Sequence, residues 1–123
     1  MTIEMLKNVL KPGYAVDGWI NGTTDETVEL LYISTPSGVQ EFSEMSIVDV
    51  AIELFAEDGI RTEDKTVLHE MKNRVLHAMK RAQANLLSYM KRELRNEDWF
   101  MAGAINQLTG AAKIYGRLCQ ILG

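Results

Sequence analysis

The residues best suited to chemistry form one stripe. Arg74, Ala78, Arg81, Asn85, Ser88, Arg92 and Arg95 step by four and three, the spacing that keeps side chains on one face of a helix. A guanidinium makes planar, two-pronged contacts with carboxylates and phosphates. Arg74, Arg81, Asn85, Ser88, Arg92 and Arg95 therefore make a candidate site for a nucleotide, a phosphorylated metabolite or an acidic partner. The plainer reading is a solvated face that pairs with the acidic half of the same chain or of a second copy. Trp99 and Phe100 follow this stripe. They offer rings for stacking on a base, although anchoring the end of a helical hairpin is the simpler role.

The remaining reactive side chains are scattered. Cys119 sits in an apolar helical pattern, where a thiol acts as a small hydrophobe, and neither His69 nor His77 is near it in sequence. The two histidines stand eight apart, about 80° round a helix, and do not converge on one ligand. Asp17, between Val16 and Gly18, is the one carboxylate in a half-buried strand position, and a turn or edge-strand role suits it better than acid catalysis. No phosphate-binding loop, dinucleotide fingerprint, HExxH, GxSxG or CxxC occurs. The expectation is a protein that is not an enzyme and needs no cofactor and no metal.

The length and composition fit one domain, residues 1–123, with 46% hydrophobic and 24% charged residues. The net charge of −4 conceals an uneven distribution. Met1 to Glu63 carries 3 basic and 12 acidic residues, net −9. Asp64 to Arg95 carries 8 and 3, net +5, and Asn96 to Gly123 carries 2 and 2. Asp25, Glu26, Glu29, Glu41, Glu44, Asp49, Glu53 and Glu57 could dock a basic partner or mimic nucleic acid, as well as serve solubility. With one cysteine, no apolar run of membrane-spanning length and no basic-then-apolar leader, the expected setting is the cytoplasm of a bacterial or virus-infected cell.

Three kinds of element must carry these residues. Thr2 to Leu10 reads as a capped helix stopped by Lys11-Pro12-Gly13. Tyr14 to Ile20, Thr27 to Thr35 and Val39 to Phe42 read as strands of an antiparallel meander. Asn21-Gly22 is expected to make a two-residue turn, and Pro36-Ser37-Gly38 a second turn. In the middle strand, Val28, Leu30 and Tyr32 oppose Glu29, Leu31 and Ile33. Ser46 and Asp49 form a capping-box variant for a helix over Ile47 to Glu57, with Gly59 as its left-handed cap. Ile47, Val50, Ala51, Leu54 and Phe55 make its apolar face, and Asp49, Glu53 and Glu57 an acidic stripe.

Residues 63–123 read as a long helical hairpin: one helix from Glu63 to about Leu94, a turn at Arg95 to Asp98 with Asn96 as cap, and a last helix to Leu122. Leu68, Met71, Val75, Met79, Ala82, Leu86 and Met90 mark a wide apolar arc on the first helix. Ile105, Leu108, Ala112, Tyr115 and Leu122 step along one seam of the last, beside a second seam that includes Ala104, Ala111 and Leu118. Gly103 and Gly110 imply close backbone approach, most simply tight packing inside the hairpin. Helices this long exceed what a three-stranded sheet can cover. The surplus implies a homodimer or higher oligomer, with Ile105, Leu108, Ala112, Tyr115 and Leu122 at the interface.

The fold class expected is α+β: a three-stranded antiparallel meander with short helices over residues 1–62, then a long antiparallel helical hairpin. The function expected is a homo-oligomeric interaction protein, an inhibitor or adaptor that binds another protein through a charged surface. The second reading is a small anion- or nucleotide-binding protein with sites between protomers. Nucleic-acid binding ranks third, because acidic surface opposes phosphate contact.

Overall fold

The computed structural model describes residues 1–91 and 98–123, with side chains described through 91 and from 102 onward. Arg92, Arg95 and the expected Asn96 cap lie outside the described residues, as do the side chains of Trp99 and Phe100. The elements are α1 (Ile3–Val9), β1 (Ala15–Asn21), β2 (Thr27–Thr35), β3 (Gly38–Ser46), α2 (Ile47–Ala56), α3 (Lys65–Lys91) and α4 (Asp98–Leu122). The three strands form one antiparallel sheet in the order β1-β2-β3, and a long helix pair follows, as the sequence predicts. The chain divides into two compact units, Met1–Met71 and Lys72–Gly123, and the opening turns of α3 belong to the first.

The first unit holds the larger core. Thr2 caps α1 by accepting the Met5 N–H at 3.4 Å, and Ile3, Leu6 and Val9 turn inward. Ser46 caps α2 by accepting the Asp49 N–H at 3.3 Å. The whole predicted apolar face of α2 (Ile47, Val50, Ala51, Leu54, Phe55) is buried. Asp64 caps α3 by accepting the Val67 N–H at 3.2 Å, and Val67, Leu68 and Met71 are buried. Each fully buried side chain of this size contributes roughly 1.5–3 kcal/mol of transfer free energy.

The end of α2 differs from expectation by one residue. Asp58, not Gly59, takes the left-handed conformation, with φ of 64°. The Asp58 N–H bonds Phe55 O at 3.0 Å and the Gly59 N–H bonds Leu54 O at 2.8 Å, which together make a Schellman ending. The chain then pairs with the segment after α1: Lys11 N–H donates to Gly59 O at 2.9 Å and Arg61 N–H to Val9 O at 2.7 Å.

The sheet corrects three further expectations. Asn21-Gly22 does not form a two-residue turn. The loop runs from Gly22 to Glu26 and closes where the Gly22 N–H donates to Thr27 O at 3.0 Å. The Thr24 and Thr27 hydroxyls supply the hydrogen bonds that shape it, at 3.2 to 3.3 Å. β3 extends to Ser46, because its pairing with β2 runs from Thr27↔Ser46 to Thr35↔Gly38. Finally, the faces of β2 do not alternate cleanly. Val28, Leu31 and Ile33 are the buried set. The register of β1 against β2 shifts between Ile20 and Asn21, where Glu29 is the extra residue, and this bulge lets Val28 and Leu31 share a face.

The Met1 ammonium is held within this unit by Glu26 Oε1 at 2.6 Å and Glu70 Oε1 at 2.5 Å. Burial by itself would lower its pKa. The hydrogen bonds and charges of Glu26 and Glu70 outweigh that and hold it above its ordinary value. The same pairing holds the Glu26 carboxyl below the usual range, through the hydrogen bond first and the charge second.

In the second unit, Val75 and Ala82 of α3 and Ala104 and Leu118 of α4 are buried. Lys72 Nζ lies 5.8 Å from the centre of the Tyr115 ring and marks the antiparallel register of the pair. Gly103 and Gly110 do not mark tight packing among the described residues of the hairpin: a Cβ at either would meet none of them within 4 Å. The seam of α4 that turns inward is the one containing Ala104 and Leu118, while Ile105 and Ala112 on the other seam are exposed.

Candidate functional site

The antiparallel pairing of α3 and α4 builds a polar cleft within the second unit. Its volume is about 180 Å³, and Arg74, Ala78, Arg81, Ala82 and Asn85 of α3 line it together with Gln107 of α4. At about 100° per residue, Arg74, Ala78, Arg81 and Asn85 fall on one flank of the buried Val75 and Ala82 stripe. Leu76, Met79, Leu87 and Met90 fall on the other. The alanines are what open the cleft. Ala78 stands between the arginines and Ala82 beside Arg81, and both leave room that longer side chains would fill. Two guanidinium groups and two primary amides give a lining rich in hydrogen-bond donors and, among the described residues, without a carboxylate.

The structure thus brings together Arg74, Arg81 and Asn85 of the sequence-derived stripe. Ser88, one turn further on, is exposed and does not line the cleft. Arg92 and Arg95 lie outside the described residues. Gln107 was not among the residues the pattern selects. It occupies an unremarkable polar position in α4, and only the register of the two helices carries it opposite residues 78–85. Of the expected interface positions, Ile105 is 47% exposed and Ala112 is exposed, whereas Leu108, Tyr115 and Leu122 are half-buried. Leu87 and Met90 on α3 are likewise exposed.

A second surface lies on the solvent side of the sheet. Residues paired across strands share a face, so Ala15, Ser34 and Val39 form one row. Gly18, Tyr32 and Glu41 form the next, and Ile20, Leu30 and Ser43 the third. Val39 is 62% and Ile20 54% exposed, and Tyr32 is also exposed. Asp17 sits at the bulge between Val16 and Gly18 and accepts a hydrogen bond from the Ser34 hydroxyl. The opposite side of the sheet differs: Trp19 pairs with the buried Leu31 and lies under Lys7 Nζ, 4.6 Å from its ring centre. From Gly13 to Ile60 the chain contains ten carboxylates and no lysine or arginine.

The predicted acidic stripe on α2 is also real. Burial first, then the charges of Glu57 and Asp49, raise the pKa of Glu53. Glu57 accepts a hydrogen bond from Gln40 Nε2 at 2.8 Å. A further groove of about 560 Å³ opens beside the β1–β2 loop, with Glu29 and Glu44 in its lining. Glu44 there has φ of 50°. His69 and His77 are exposed and Cys119 is half-buried. Among the described residues no group of three or more His, Cys, Asp or Glu could hold a metal ion, and no helix is long and apolar enough to cross a membrane. Compared with protein-family models, curated proteins and solved structures, the chain matches none.

Proposed function

We propose that this chain is a non-enzymatic interaction protein that self-associates through its helix pair and binds a cationic protein partner through its first unit. One observation carries the reading. The solvent face of the sheet presents Ile20, Tyr32 and Val39 to water, flanked by Asp17 and Glu41, in a segment without a single cation. Exposed apolar rows edged by one sign of charge fit a partner whose apolar side chains are flanked by lysine or arginine. The same charge disfavours nucleic acid and disfavours a second copy of this face.

The helix pair supports self-association. Two helices alone bury one stripe each, and here Leu87, Met90 and Ile105 remain exposed. A second pair related by two-fold symmetry would cover them in a four-helix arrangement. With one cysteine, and hence no internal disulfide, the cytoplasm is the setting this reading assumes.

Two measurements test it. Sedimentation of the full chain should give a dimer or larger, and Leu87→Glu with Ile105→Glu should give a monomer. A parent chain that stays monomeric at micromolar concentration removes the self-association half. For the partner half, affinity capture is compared between the parent and the separate variants Val39→Lys and Glu41→Lys. A basic protein retained by the parent and lost from both variants supports the reading. Retention unchanged in both sinks it.

A further inference from the structure

We infer that the cleft of Arg74, Arg81, Asn85 and Gln107 is a binding site for an oligophosphate, a ligand with at least two linked phosphoryl groups. The inference is independent of the protein-partner reading, because the cleft lies wholly in the second unit and on the opposite flank of α3 from Leu87 and Met90.

The lining chemistry selects an anion. Arg81 and Arg74 supply guanidinium forks, the side-chain amides of Asn85 and Gln107 supply neutral donors, and among the described residues no carboxylate lines the cleft to repel a negative charge. Oxygen-rich anions with several acceptor atoms satisfy such a mixed set of donors. A single carboxylate satisfies few of them.

Spacing selects the length of the ligand. Arg74 and Arg81 are seven residues apart, about 10 Å along the helix at 1.5 Å per residue. Asn85 extends the row by about a further 6 Å. Long arginine side chains converge from positions along this row, so two or more linked phosphoryl groups can meet donors from both ends of the cleft, whereas one orthophosphate meets only the nearest. Volume bounds the ligand from above. At about 180 Å³ the cleft is smaller than the roughly 300 Å³ at which pockets begin to enclose whole drug-sized molecules. It holds a phosphate chain, and a nucleoside attached to that chain would remain in solvent. The site is therefore formed by one helix pair and does not require a protomer boundary.

The test uses the full chain and inorganic pyrophosphate, with orthophosphate and sulfate at matched ionic strength as comparisons. Calorimetry should show saturable pyrophosphate binding that is tighter than either comparison anion. In amide-resolved NMR, the side-chain NH₂ signals of Asn85 and Gln107 should shift with the same titration. Arg81→Glu should weaken binding by at least about tenfold, since a charge-assisted hydrogen bond is lost and a repulsion added. Gln107→Ala, which leaves the net charge unchanged, should also weaken it. Lys80→Glu makes the same charge change on an exposed residue outside the cleft and should leave binding intact. Circular dichroism confirms that each variant keeps its helices. Three results overturn the inference: no saturable pyrophosphate binding at millimolar concentration, equal weakening by Lys80→Glu and Arg81→Glu, or shifts that bypass Asn85 and Gln107.

Discussion

Gly59 lies against the ring of Tyr14, so close that a Cβ at position 59 would stand 2.7 Å from Tyr14 Cε1 and 2.8 Å from Cζ. The glycine is needed for this approach and not for its backbone, because the left-handed conformation after α2 belongs to Asp58. The contact locks the segment after α2 to the segment after α1, where Leu10 and Ile60 form an isolated antiparallel bridge. Gly59→Ala is therefore expected to cost about 1–3 kcal/mol by overpacking. In a Tyr14→Ala background the same substitution should cost almost nothing, because the ring is gone. Urea unfolding of the four proteins in this cycle reads the coupling directly. A neutral Gly59→Ala in the parent would mean that the ring yields freely.

The ammonium clamp of Met1 gives a pH dependence with two edges. Its pKa is raised above the ordinary value of 8.0, so its contribution is complete below about pH 8 and is lost as pH climbs through the higher folded value. The Glu26 carboxyl is shifted down from 4.5, so its contribution is present above that value and is lost as pH falls through the lower folded one. The expected profile is a plateau between these limits. Replacing Glu26 and Glu70 together by glutamine should lower the plateau and flatten its alkaline edge. Unfolding midpoints measured across the pH range would refute the clamp if the double variant kept the parent's alkaline edge.

Glu53 works in the opposite sense. Its pKa is raised, by burial first and by Glu57 and Asp49 second, so folding favours its protonated form. The ionised side chain is thus a liability that is absent below pH 4.5 and develops as pH rises through the folded value. Glu53→Gln should stabilise the chain at neutral pH. The side chain is largely solvated, so the gain should be about 0.5 kcal/mol or less. At pH 3 the advantage should vanish. A gain that persists unchanged in acid would point to packing and not to charge.

How much was legible in the sequence depended on the range of the interactions involved. The apolar face of α2 follows from spacing alone, because Ile47, Val50, Ala51, Leu54 and Phe55 repeat with the helical period and all five are buried. The bounds of β2 follow from its β-branched and aromatic run. Local hydrogen bonding defeated the Asn21-Gly22 reading, since the Thr24 and Thr27 hydroxyls offered the loop a wider closure. The bulge at Glu29 depends on how β1 pairs, which no single-strand pattern contains. The cleft was half legible. Its arginines and Asn85 share a stripe, but Gln107 lies in the next helix and joins them only through the register of the two helices.

Gly103 and Gly110 test what the helix pair leaves open. Each interrupts α4 at a cost of roughly 1 kcal/mol relative to alanine, and a Cβ at either would meet nothing within 4 Å among the described residues. Both lie away from the flank of α4 that carries Ile105, Leu108 and Ala112, so alanine there should not disturb self-association through that flank. Gly103→Ala and Gly110→Ala are each expected to stabilise the chain by about 0.5–1 kcal/mol, and to add when combined. Thermal unfolding at several protein concentrations separates the outcomes. A concentration-independent gain fits two glycines facing solvent. A loss of stability that deepens on dilution would mean that a second copy reaches the backbone on this flank, and the self-association surface would then have to be redrawn around the glycines instead of Ile105.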